Sequence, residues 1–186
     1  MTALSALWLP IVLSAVFVFI VSSIIHMTPL WHKNDYPLLA NQDQVGAALR
    51  SLAIPPGDYV LPRGKDMKDM RSPEFKEKFK TGPVVFMTIL ANPSMSMGRP
   101  LTLWFIYGLI TNFLAASVAS WTLAPGADRQ MIFFIVGTIA FLGYVAALWQ
   151  MTIWYGRALS MTVKSTLDGL IYAAVTAGTF AWLWPR

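Results

Sequence analysis

No Asp, Glu, Lys or Arg occurs in the first 32 residues, from 100 to 127, from 130 to 156, or from 169 to 185. A helix needs about 20 predominantly apolar residues to cross roughly 30 Å of hydrocarbon. Each stretch is therefore read as a membrane span. The expected spans are Leu4–Ile25, Leu101–Leu123, Met131–Tyr155 and Thr166–Trp184. Charged residues make up only 12% of the chain, about half the share of a soluble domain, so the unequal distribution reflects a membrane class.

Local signals punctuate these spans. Pro10 lies in the first turns of span one, and Pro100 is placed to open span two. Pro125-Gly126 turns the chain between spans two and three, and Pro185 stops span four. Before span one there is no basic segment, and its apolar run is longer than that of a cleaved leader, so it is read as a retained helix. Trp8, Trp31, Trp104, Trp121, Trp154, Trp182 and Trp184 fall near span ends, where an aromatic belt at headgroup depth accounts for them.

The expected architecture is an all-α membrane protein, a four-helix transmembrane bundle with a small polar α/β insertion between helices 1 and 2. Its parts are helix 1 over 1–27, the insertion over 28–100, and helices 2–4 over 101–186. Inside the insertion, Asn41 can cap a helix carrying Val45, Ala48, Leu49 and Leu52 on one face. Pro55-Pro56-Gly57 makes a turn, Tyr59–Leu61 a short strand, and Ser72-Pro73-Glu74 a strong helix start. Val84–Leu90 is too short to span and reads as a strand paired with Tyr59–Leu61.

Twelve of the fourteen Lys and Arg residues fall in the segment Thr28–Pro100 or the loop between spans three and four. Only Arg129 and Arg186 lie on the other side. The bias predicts a cytoplasmic insertion with both termini outside, in a plasma membrane of the bacterial inner-membrane type. The basic loops would meet anionic lipid headgroups, and no nucleic-acid partner is implied.

The chain has no cysteine, which excludes disulfides, thiolate metal sites and Cys nucleophiles. Gly57 to Lys65 fails the spacing of a phosphate loop, and Asp66 and Asp69, alternating with Lys65 and Lys68, read as a solvated turn. Both histidines fall at one end of span one, the wrong arrangement for haem held between helices. His26, Met27 and His32, with Met95 and Met97 before span two, form a possible soft Cu(I) set; no other cofactor is expected. Neutral imidazole is required for such binding. Interfacial polar tips and methionine filler are the plainer account of these residues. Asp168 lies in the expected first turn of span four, where Ser165-Thr166-Leu167-Asp168 reads as a capping box.

Small residues form rows on the spans, with Ala173, Ala177 and Ala181 in one row and Gly178 in the next, and Gly143 and Ala147 on span three. Such rows let helices approach closely, and Asn112 and Gln150 can hydrogen-bond across them. Two function classes follow. One is a non-catalytic accessory or assembly subunit, associating with itself or with a membrane complex. The other is a small transporter or channel, with a metal ion such as Cu(I) as cargo. An enzyme ranks behind both, because the few acid–base residues all have structural explanations.

Overall fold

A computed structural model describes residues 1–28 and 31–186. The chain is mostly helical with one small two-stranded sheet, and it divides into two compact units. The first is Met1–Tyr36 with Ser96–Arg186, and the second is Pro37–Met95.

In the first unit a 3-10 turn, Leu4–Leu7, leads into α1, Trp8–Met27. Three short helices of the insertion, α2 (Gln42–Ser51), α3 (Met67–Met70) and α4 (Pro73–Thr81), come next, and α5, Gly98–Thr122, returns to the first unit. The next helix begins as α6, Arg129–Phe141, where the Asp128 carboxylate accepts from the backbone of Gln130 and Met131. It passes through a π-helical turn, Leu142–Ala146, and continues as α7, Leu148–Tyr155. Gly156 ends it in the left-handed conformation at φ 65°, which favours glycine. After only three residues α8, Leu159–Leu183, begins.

Among the described residues, three helices are long and apolar enough to cross a membrane: Leu4–Met27, Gly98–Thr122 and Arg129–Tyr155. The 25-residue α8 packs against α6 and α1, while α1 packs on α5 and α5 on α6. One end of this unit is sealed by Leu7, Ala115, Ala119, Ile132, Val136, Phe180 and Trp184. There the Thr2 amide and hydroxyl bond Ser120 and Leu123 carbonyls, both at 2.9 Å, and Gly126 N–H donates to Pro185 O at 2.8 Å. Both chain termini and the α5–α6 turn therefore meet at that end.

The small-residue rows serve contacts inside the chain. Ala173 and Ala177 are buried, and a Cβ at Gly137 would stand 3.2 Å from that of Ala177. A Cβ at Gly143 would come within 2.8 Å of Thr111 Cγ2. Asn112 is fully buried, whereas Ala147 and Gln150 are exposed, Ala181 is half-buried and Gly178 faces open space.

In the second unit α2 is Gln42–Ser51, α3 is Met67–Met70 and α4 is Pro73–Thr81. Strands β1, Gly57–Leu61, and β2, Val85–Ile89, pair antiparallel with Tyr59 opposite Met87, the pairing expected from the two apolar runs. Asn41 precedes α2 but makes no side-chain cap, which corrects that expectation: its backbone, at φ −112° and ψ 37°, is not in the extended capping conformation. Asp66 and Asp69 do stabilise a solvated turn, accepting from the amides of Asp69 and Lys65 at 2.8 Å each. The Ser72 hydroxyl accepts from Phe75 N–H at 3.1 Å, with Pro73 opening the helix. Ser72→Ala is expected to cost about 1 kcal/mol, read as faster amide exchange across 73–81 than in the wild type; unchanged exchange would contradict the cap.

Candidate functional site at the insertion end of the helices

Every fourth residue along α8 is Lys164, Asp168, Tyr172, Thr176 and Phe180, with Trp184 just past its end, a row that winds about 40° round the helix at each step. The row runs from charged through hydroxyl-bearing to apolar. From Asp168 onward every member is buried.

At its charged end the row meets the segment that follows α1. His32 stands between two carboxylates, with Nδ1 at 2.7 Å from Asp35 Oδ2 and Nε2 at 2.9 Å from Asp168 Oδ2. Lys164 Nζ donates to Asp35 Oδ1 at 2.6 Å and to the Trp31 carbonyl. Trp31 Nε1–H lies 2.9 Å from His32 Nε2 and 3.2 Å from Asp168 Oδ1, one donor shared by two acceptors. The Lys164 ammonium, and after it the His32 ring, hold the Asp35 carboxyl below its usual range, against the opposing effect of its partial burial. His26, one turn before the end of α1, stacks on His32 with ring centroids 4.5 Å apart and planes 8° from parallel. Its Nδ1 lies 3.0 Å from the Ser22 carbonyl of its own helix. Nitrogens of both histidines and an oxygen of Asp168 lie within 4.8 Å of one another.

Beneath this cluster an aromatic layer crosses the helices. Trp104 Nε1 donates to Ser22 Oγ at 2.9 Å, and its ring meets those of Tyr107, Tyr144 and Tyr172 at 5.7, 6.1 and 5.8 Å. Tyr144 and Tyr172 meet edge to face at 5.6 Å. The π turn helps set this layer: it carries Tyr144, and its Gly143 carbonyl accepts from Tyr107 Oη at 2.5 Å. Such turns change the helical phase and often mark functional sites. Lower still, Thr176 Oγ1 donates to Asn112 Oδ1, and Asn112 Nδ2 to Ile11 O, both at 3.3 Å. The hydroxyls of Ser14 and Tyr172 are buried with no hydrogen-bond partner among the described residues, and that of Tyr144 is buried beside Thr176. A buried unpaired hydroxyl costs about 1–3 kcal/mol, so groups of this kind normally hold water or a ligand.

These positions revise the sequence reading. The capping box is absent because α8 starts at Leu159, which leaves Asp168 well inside the helix. Ser165 and Thr166 instead bond back to Met161 and Thr162 carbonyls at 2.9 and 2.8 Å. Hydropathy marks where a membrane ends, and the helix continues past that boundary because nothing breaks it. Of the soft set, His26 and His32 come together, whereas Met27 and Met97 are 85% and 61% exposed. Met95 belongs to the other unit and is exposed. Trp31, Trp104 and Trp184 each place the indole N–H on a partner within the first unit. Trp8, Trp121, Trp154 and Trp182 remain strongly exposed, as belt residues would be. Sequence reasoning passed over Tyr144 and Tyr172; the fourfold spacing from Lys164 to Thr176 was the signal that could have found Tyr172.

No protein-family model, no curated protein and no solved structure matches this chain.

Proposed function

We propose that this chain is a small transporter or channel of a plasma membrane, passing a small cation between the mouth formed by His26, His32 and Asp168 and a hydroxyl-lined column between four transmembrane helices. The supporting observation is the α8 row, in which a buried carboxylate leads to Tyr172 and Thr176 beside unpartnered hydroxyls. Ionisable groups at membrane depth are costly and mark ion pathways. In this reading α8 is the fourth span: it runs from the Asp35 contact to Trp184, whose indole N–H meets Ala124 O in the α5–α6 turn. The insertion is cytoplasmic, following the Lys and Arg bias, and both termini face outward. Cations then enter from the cytoplasmic side, and the apolar layer around Leu7 and Phe180 closes the outer side as a dewetted gate.

An accessory subunit docking through small-residue faces is less favoured, because Ala173 and Ala177 are already buried inside the chain. The test is flux. Purified protein reconstituted in liposomes loaded with proton- or zinc-sensitive dye is expected to respond to an imposed cation gradient, and Asp168→Asn to slow the response at least tenfold. Wild-type traces indistinguishable from those of empty liposomes would overturn the proposal.

A further inference from the structure

We infer that His26, His32 and Asp168 bind a transition-metal dication of the zinc class at the mouth of the column. This names the cargo of the site proposed above, and so rests on that reading for its role. Binding itself can be measured without flux.

The geometry has three parts. First, each imidazole has its Nδ1 beside an acceptor: His32 at Asp35 Oδ2, 2.7 Å, and His26 at the Ser22 carbonyl, 3.0 Å. Partners of this kind fix the tautomer that presents Nε2, and the Asp35 carboxylate also holds the orientation of the His32 ring. Second, when Nδ1–H of neutral His32 donates to Asp35, the Nε2 lone pair faces Asp168 Oδ2 at 2.9 Å. In the free protein the Trp31 indole N–H serves both groups, 2.9 Å from His32 Nε2 and 3.2 Å from Asp168 Oδ1; a metal ion takes the place of that donor and accepts both side chains as ligands. Third, the cluster holds two carboxylates and one ammonium: Lys164 pairs with Asp35, and Asp168 meets His32, so the cluster is net negative while its imidazoles are neutral.

Ligand chemistry selects the ion. Two imidazoles and a carboxylate suit zinc, with a water or cargo-exchange position left open, whereas Cu(I) favours the soft thioethers that are exposed at Met27 and Met97. One rearrangement is required. Coordinating lone pairs lie in the ring plane, and two nearly parallel stacked rings cannot direct both to one ion. The exposed His26 must therefore turn out of the stack when the ion binds.

The test titrates the full chain in detergent with Zn²⁺ against a chromophoric chelator, with Co²⁺ absorption as a second probe. One Zn²⁺ per chain is expected, with affinity at least tenfold lower in His32→Ala and Asp168→Asn and wild-type affinity kept in Met27→Leu. Because Asp168→Asn also removes an ion-pair partner, the exposed His26→Ala serves as the variant that keeps the fold, and it should weaken binding too. No binding by the wild type, or undiminished binding in His32→Ala, Asp168→Asn and His26→Ala, would overturn the inference. Zn²⁺ binding without flux leaves the site standing and removes transport; proton flux without Zn²⁺ binding removes the metal and keeps the pathway.

Discussion

Gly169→Leu is expected to be the most destabilising single substitution on α8, with unfolding in detergent shifted to clearly lower temperature. Even a Cβ at this position would stand 2.3 Å from Val145 Cγ2 and 3.4 Å from Tyr144 Cβ, where α8 crosses the π turn. Val145 is short and buried, so it has little freedom to retreat. Overpacking of this kind costs about 1–3 kcal/mol, whereas replacing a helical glycine by alanine gains only about 1 kcal/mol of propensity. The clash should therefore prevail even in Gly169→Ala, and leucine should do worse. Two controls isolate the cause. Adding Val145→Ala to Gly169→Ala should recover part of the loss, since coupled neighbours are non-additive. Gly178→Ala, where a Cβ meets nothing within 4 Å, should be neutral or stabilising. Equal melting of Gly169→Leu and wild type would show that the α8–π-turn contact is not tight.

The apolar runs made α1, α5 and the Arg129–Tyr155 helix legible, because their lengths match a bilayer and turn residues bound them. The Tyr59–Leu61 and Val85–Ile89 pairing was legible for a similar reason: both runs are too short to span and suit a strand. The start of α8 was not. Lys164 and Asp168 suggested the edge of a span, yet they sit inside a helix that projects beyond it. The π turn was equally hidden, since Leu142–Ala146 contains neither proline nor an unusual composition. Of the site, the proximity of His26 and His32 followed from their neighbouring positions. The partnership of His32 with Asp168 did not, because it joins residues 136 positions apart that only the helix packing brings together. The exposure of Met27, Met95 and Met97 was not legible, because spacing says nothing about whether a flexible side chain faces lipid, solvent or a site.

The hydroxyl column makes the second large prediction, and it can be read directly because the chain has no native cysteine. From Asp168 to Thr176 the row descends about 12 Å at 1.5 Å per residue. In the proposed pathway Tyr172 and Thr176 stand at the upper part of the row, and Leu7, Val136 and Phe180 belong to the buried apolar cluster at its lower end. Water should reach as far as Thr176 and stop. Single cysteines placed at Tyr172, Thr176 and Phe180 would be exposed to a small, charged, membrane-impermeant thiol reagent from the insertion side. Rapid labelling at 172 and 176 with none at 180, slowed at both upper sites by saturating Zn²⁺, is the predicted result. Cysteines at 172 and 176 as unreactive as the one at 180 would contradict the pathway.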